Sequence, residues 1–117
     1  MENEKGLVPY HTTDPTGKRT LVLAPHPDDE TIGCGGTLVL HADAGDSVKV
    51  VFLTNGAKGD PSQKMEKDSY VRLRQEEARK ACADLGVRDI VFWPFEDRRL
   101  AGSRGALRRM LDLLEVF

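Results

Sequence analysis

The sequence predicts an α/β fold, a Rossmann-like and mostly parallel sheet with flanking helices. Three short apolar runs, 21–24, 48–53 and 89–93, have the composition of buried strands. A polar or glycine-rich loop and then a helical segment follow each of them. This alternation is typical of βαβ units and a parallel sheet. We expect the strand order 3-2-1, as in one half of a doubly wound sheet.

Length and composition indicate one ordinary globular domain. The chain has 117 residues, of which 39% are hydrophobic and 31% charged, values that are common in such domains. A net charge of −2 gives no basic patch, so we expect no nucleic-acid partner. No run resembles a membrane span or a signal peptide, so we expect no membrane partner. Cys34 and Cys82 form no disulfide framework, which predicts reduced thiols and a cytoplasmic location.

Four titratable side chains follow the first strand within five residues: His26, Asp28, Asp29 and Glu30. They fall at the carboxyl edge of the sheet, where open α/β sheets bind ligands. Imidazole and carboxylate are zinc ligands, and a catalytic zinc site keeps one position open. Adjacent aspartates cannot easily both bind one ion, so one could ligate while the other acts as a base. Alternatively, Asp28 or Asp29 caps the next helix.

The glycine-rich segment that follows, Gly33 to Gly36, opens a helix predicted over 31–44. It lacks the G-x-G-x-x-G spacing of a dinucleotide loop, and the preceding carboxylates would repel a pyrophosphate. A nucleotide-binding half-domain is therefore disfavoured. Within this segment, Cys34 could be a metal ligand or a small packed residue, and packing is the favoured role.

The clearest helix is predicted over 67–85. Arg74, Ala78, Cys82 and Leu85 recur on one stripe that should face the sheet. Arg74 lies in the half of the helix nearest the crevice, and a charge on an apolar stripe needs a partner. Glu77, three residues on, can be that partner.

The third strand should end at Pro94, which places Asp97 in a loop at the same edge of the sheet. A third helix is predicted over 104–117, with an apolar face formed by Leu107, Met110, Leu111, Leu114 and Phe117. A crossover helix normally leads to another strand, and none follows. We therefore expect an apparently truncated fold of three strands and three helices, from a longer protein or one completed by a partner chain. Residues 1–18 read as a polar arm and 19–117 as the α/β domain.

Several motifs, in order, resemble the LmbE/PIG-L family of zinc-dependent N-acetylglucosamine deacetylases. They are Pro-His-Pro-Asp-Asp-Glu at 25–30, Gly-Cys-Gly-Gly-Thr at 33–37 and Val-Val-Phe-Leu-Thr-Asn-Gly at 50–56. The segment Asp-Leu-Gly-Val at 84–87 and the later Asp97 fit as well. The resemblance implies that 19–117 is the N-terminal part of such a domain.

The resemblance also implies roles for individual residues. His26 and Asp29 would be zinc ligands, Asp28 the general base, and Arg74 and Asp97 contacts to the substrate. The family's third zinc ligand, a later histidine, has no counterpart in this chain, so we expect weak zinc binding and little turnover from these residues alone.

The implied function is zinc-dependent removal of an acetyl group from an N-acetylglucosamine-containing substrate. The partner would be a small amino sugar, and a homo-oligomer is compatible with the sequence. The alternative is a non-catalytic α/β binding module or a half-domain completed by a partner chain.

Overall fold

The computed structural model describes residues 6, 11, 13–14, 16–17, 19–59, 62, 64–97 and 99–117. Its main elements are β1 (Thr20–Ala24), α1 (Asp29–Asp43), β2 (Val48–Thr54), a 3-10 turn (Ala57–Gly59), α2 (Lys67–Asp84), β3 (Asp89–Phe95) and α3 (Arg104–Val116). The strands form an open parallel sheet in the order β1-β2-β3. This confirms the predicted fold class and strand order. The predicted arm over residues 1–18 lies mostly outside the described residues.

The core is built on the central strand β2. Val50, Val51 and Phe52 are fully buried, as expected for a strand paired on both sides and covered by helices. The Phe52 and Phe92 rings stack with centroids 4.8 Å apart. Leu38 of α1 and Cys82 of α2 join Val50 and Phe52 in one cluster. Both helices therefore pack on the same face of the sheet and fix the loops at its carboxyl edge.

The prediction that Pro94 ends the third strand is wrong. β3 continues to Phe95, and the register with β2 shifts between Phe52 and Thr54. Within the part of the chain that the structure describes, β3 pairs with β2 alone and is an edge strand, where a proline is tolerated because its missing N–H need not cost a ladder bond. The extra residues bring the chain directly to Asp97.

Helix α1 contains a kink that the sequence reading did not include. Cys34 has φ −145° and ψ 23° inside the helix, and the glycines around it permit the bend. After the kink, Gly35, Leu38 and His41 are buried at three-residue intervals. Cys34 itself packs against the core, as its favoured role predicted. The kink separates the first turn, which carries Asp29, from the part of α1 packed on the sheet.

Helix α3 forms as predicted, with Ser103 accepting a cap hydrogen bond from the Ala106 amide at 3.2 Å. Its apolar stripe is largely uncovered: Leu107, Leu111 and Leu114 are 61%, 54% and 60% exposed. Of the helices in the described part of the chain, none is long and apolar enough to cross a membrane.

Candidate active site

The turn between β1 and α1 brings His26 and Asp29 together. The Asp29 Oδ2 atom lies 3.5 Å from His26 Nδ1 and accepts the His26 backbone N–H at 3.0 Å. Both side chains are 45% exposed, so this pair is open to solvent at the carboxyl edge of the sheet. His26 and Asp29 are three residues apart, about one helical turn. The first turn of α1 therefore brings Asp29 back beside His26, which precedes the helix.

The His26–Asp29 separation fits two ligands of one ion. A tetrahedral zinc ion with ligand bonds of about 2.1 Å separates neighbouring donor atoms by roughly 3.4 Å, close to the distance observed here. One imidazole nitrogen and one carboxylate oxygen are also the donor types that zinc accepts. Among the residues that the structure describes, no group of three or more His, Cys, Asp or Glu side chains could hold a metal ion. The described residues therefore supply two ligands for a zinc ion.

Asp28 occupies an unusual backbone position. It precedes α1 with φ 94° and ψ −26°, a left-handed conformation that costs a non-glycine residue roughly 1–2 kcal/mol. Within the described residues its carboxylate makes no cap hydrogen bond to α1, so the capping alternative is wrong for Asp28. Its Oδ2 atom lies instead 3.4 Å from Arg74 Nη2. A left-handed backbone at a residue other than glycine stores strain, and such strain is often found at functional sites.

Arg74 reaches from α2 to two loops. Its Nη1 atom donates to the Gly56 carbonyl at 3.0 Å and Nη2 to the Pro27 carbonyl at 2.7 Å. The alternative ion pair with Glu77 does not form among the described residues, since Arg74 pairs with Asp28. The stripe position predicted for Arg74 is confirmed, because Ala78 and Cys82 below it are fully buried.

Asp97 is 4% exposed and holds the loop after β2. Its Oδ1 and Oδ2 atoms accept the backbone N–H groups of Gly56 and Lys58, both at 2.8 Å. Burial raises the pKa of the Asp97 carboxyl. Hydrogen bonds from the Lys58 amide, the Thr54 hydroxyl and the Gly56 amide outweigh burial and hold that pKa below its ordinary value. The His26 Nε2 atom lies 3.8 Å from Oδ1, near enough for attraction but too far for a hydrogen bond.

These residues surround a pocket of about 420 Å³, within the usual range for small-molecule sites. All five predicted site residues line it. The lining is His26, Pro27, Asp28, Asp29, Ile32, Lys58, Gly59, Arg74 and Asp97.

Sequence analysis did not single out Lys58 or Gly59, which follow β2 and line the pocket. Their position directly after a parallel strand could have identified them as candidate site residues. His41 lies elsewhere, with Nδ1 2.7 Å from Asp46 Oδ2.

A family model described as PIG-L, GlcNAc-PI de-N-acetylase, matches residues 21–117. The chain belongs to the PIG-L family. It is 31% identical over 97 residues to the diacetylchitobiose deacetylase of Thermococcus kodakarensis, an alignment that covers 83% of this chain and 36% of the relative. This PIG-L chain therefore spans about a third of the length of that enzyme.

Solved structures share the PIG-L fold of this chain. The N,N′-diacetylchitobiose deacetylase of Pyrococcus horikoshii superposes with a TM-score of 0.77 at 31% identity, covering 83% of this chain and 36% of that one. The 4-carboxy-2-hydroxymuconate hydratase GalB of Pseudomonas putida gives 0.72 at 28% identity, covering 81% and 42%. The same fold therefore occurs in proteins named for two different reactions.

Proposed function

We propose that this protein is a zinc-dependent hydrolase that removes the acetyl group from an N-acetylglucosamine-containing substrate. The observation that carries the proposal is the 3.5 Å approach of His26 Nδ1 to Asp29 Oδ2 beside the strained Asp28, at the wall of an open pocket. Membership of a family described by de-N-acetylation supports it.

His26 and Asp29 would hold the metal, since they supply the donor pair whose separation matches a tetrahedral ion. When bound, zinc would supply a Lewis acid that activates water and polarises the acetyl carbonyl. Asp28 is the general base in this proposal. Its carboxylate is 55% exposed and lies between the two metal ligands in sequence, so it can reach a water in the same pocket.

The chemistry asked of Asp28 is one proton transfer. As water attacks the acetyl carbonyl, the carboxylate takes a proton from it. Breaking the C–N bond releases acetate and an amine, and the amine takes up the proton that Asp28 removed from water, so the step balances. The Arg74 guanidinium lies 3.4 Å from the Asp28 carboxylate and opposes its charge.

Arg74 and Asp97 are proposed as the sugar-facing residues of the pocket, as the family resemblance implies. Both line the pocket, and both also hold loop backbone. The substrate is accordingly a small amino sugar. The cytoplasmic location expected from the cysteine content stays a prediction.

The likeness to a hydratase supports a second candidate, addition of water to an unsaturated carboxylate. The deacetylase is favoured because the family description and the structure with the higher TM-score both name deacetylation. The third candidate, a binding module without catalysis, follows from a site with two protein ligands.

The test is zinc binding and acetate release by the chain itself, with diacetylchitobiose as the probe substrate. After chelation, we expect zinc to bind weakly in calorimetry, and His26→Ala and Asp29→Asn to abolish that binding. Asp28→Asn should keep zinc binding and lower acetate release by about 10²-fold or more, the usual contribution of a general base. Asp112→Asn, an exposed change on α3, is the matched control.

Each other outcome rejects part of the proposal. Zinc binding that survives in His26→Ala would remove the metal assignment. Zinc binding without acetate release would favour the binding module. Hydration of 4-carboxy-2-hydroxymuconate without acetate release would favour the hydratase.

A further inference from the structure

We propose that Arg74 and Asp97, in addition to facing the sugar, form a clamp on Gly56 that positions Asp28. This inference rests on the proposed function for its catalytic meaning. The clamp itself follows from contacts that link the loop after β1 to the loop after β2.

The centre of the clamp is the Gly56 residue. Its N–H donates to Asp97 Oδ1 at 2.8 Å, and its carbonyl accepts from Arg74 Nη1 at 3.0 Å. A negative and a positive side chain therefore hold opposite polar groups of one residue. Gly56 has φ +72°, and a Cβ there would lie 2.7 Å from Arg74 Nη1 and 3.2 Å from Pro27 Cδ. The close approach therefore requires a glycine.

Arg74 carries the clamp to the first loop. Its Nη2 atom donates to the Pro27 carbonyl at 2.7 Å and lies 3.4 Å from Asp28 Oδ2. The guanidinium group thus holds the peptide bond between Pro27 and the strained Asp28. It also faces the Asp28 carboxylate. The Arg74 side chain is only 17% exposed, and a planar fork suits two carbonyls at once.

Asp97 carries the clamp toward His26. One oxygen holds Gly56 and the other holds Lys58, while His26 Nε2 lies 3.8 Å from Oδ1. At that separation the Asp97 carboxylate lies beside the imidazole without accepting a hydrogen bond from it. The Asp97 side chain is 5% exposed, so both of its oxygens are largely occupied by the protein.

A sugar contact and a clamp contact have different effects on the loops when no substrate is bound. A residue that acts through sugar contact leaves the loops unchanged when it is removed without substrate. A clamp residue loosens both loops before any ligand is present. Hydrogen exchange in the metal-free, substrate-free chain separates the two, and it does so whether or not the protein is a deacetylase.

The experiment compares Arg74→Ala and Arg74→Lys with Arg72→Ala. Arg72 is an exposed arginine on the same helix, and its Nε atom lies 3.4 Å from the Asp68 carbonyl one turn earlier. We expect Arg74→Ala to raise amide exchange at Gly56 and Lys58 by about tenfold or more relative to this control. Arg74→Lys keeps the charge but cannot serve both carbonyls, so exchange should also rise.

One further readout connects the clamp to the site. In the acetate-release assay, kcat should fall more than KM rises, because the clamp positions Asp28.

Wild-type exchange in Arg74→Lys, or exchange in Arg74→Ala within twofold of Arg72→Ala, would overturn the clamp. A higher KM with unchanged kcat would show that Arg74 acts through substrate binding alone, and would overturn the positioning of Asp28. If no variant binds metal or releases acetate, the proposed function fails while the exchange rates still decide on the clamp.

Discussion

Replacing Asp97 by asparagine should destabilise the domain by about 2–3 kcal/mol at neutral pH. The carboxylate accepts two backbone N–H groups at 2.8 Å, and hydrogen bonds to charged groups contribute roughly 1.5–3 kcal/mol each. Asparagine keeps one acceptor oxygen and turns an NH₂ group toward the other amide. One bond is therefore lost and the second loses its charge.

The effect should depend on pH in a defined direction. The pKa of Asp97 is lowered in the folded state, because the hydrogen bonds from Lys58, Thr54 and Gly56 outweigh the burial that raises it. A lowered folded pKa gives stability that is complete above the unfolded pKa, about 4. That stability is lost as pH falls through the folded pKa. The gap between wild type and variant is therefore widest near pH 7 and narrows below about pH 4.

Urea unfolding followed by the fluorescence of Trp93, the single tryptophan, measures this gap. Trp93 is buried, so its emission reports loss of the core. Asp89→Asn is the matched control. Asp89 is 56% exposed and pairs with Lys49 at 3.2 Å, so its replacement should cost at most about 1 kcal/mol. Equal losses for Asp97→Asn and Asp89→Asn, or a gap that grows at low pH, would refute the reasoning.

Two further stability predictions compare buried and open positions. Gly56→Ala should cost about 1–3 kcal/mol more than Gly102→Ala. Both glycines have positive φ, but a Cβ at position 56 would lie 2.7 Å from Arg74 Nη1, whereas one at position 102 would have no described atom within 4 Å. Phe52→Ala should cost about 3–5 kcal/mol because a fully buried, stacked ring is lost. Leu111→Ala should change stability by at most about 0.5 kcal/mol, since its side chain is 54% exposed. Urea midpoints for each pair check these differences, and equal midpoints within a pair would contradict them.

The predictable part of the fold depended on local patterns. The stripe of Arg74, Ala78 and Cys82 gave α2 to within one residue, since it runs Lys67–Asp84 against a predicted 67–85. Pro94 misled the reading of β3, because whether a proline ends a strand depends on which side of the strand is paired. That is a property of the assembled sheet, and no local rule contains it.

In the site, too, contacts between residues close in sequence were predictable and contacts between distant residues were not. His26 and Asp29 meet because they are three residues apart in one turn. The partners of Arg74 could not be found locally: the helix rule offered Glu77, three residues away, whereas Pro27 lies 47 residues away in sequence. Asp97 and Gly56 are 41 residues apart. Their contact forms because the ends of β2 and β3 meet at one edge of the sheet. The sequence predicts that both residues lie at this edge, but not which of their atoms form hydrogen bonds.

The division of charge within the pocket favours Asp29 as the carboxylate that binds a cation. Asp97 has both oxygens engaged by backbone amides, and its burial would make a further desolvated charge costly. Asp28 faces the Arg74 guanidinium at 3.4 Å, which would repel a divalent ion held on the same oxygen. Asp29 is half exposed and lies 3.5 Å from the His26 imidazole. A cation at Asp29 would therefore meet the least opposing charge, which would leave the Asp28 carboxylate for the proton transfer of the proposed mechanism.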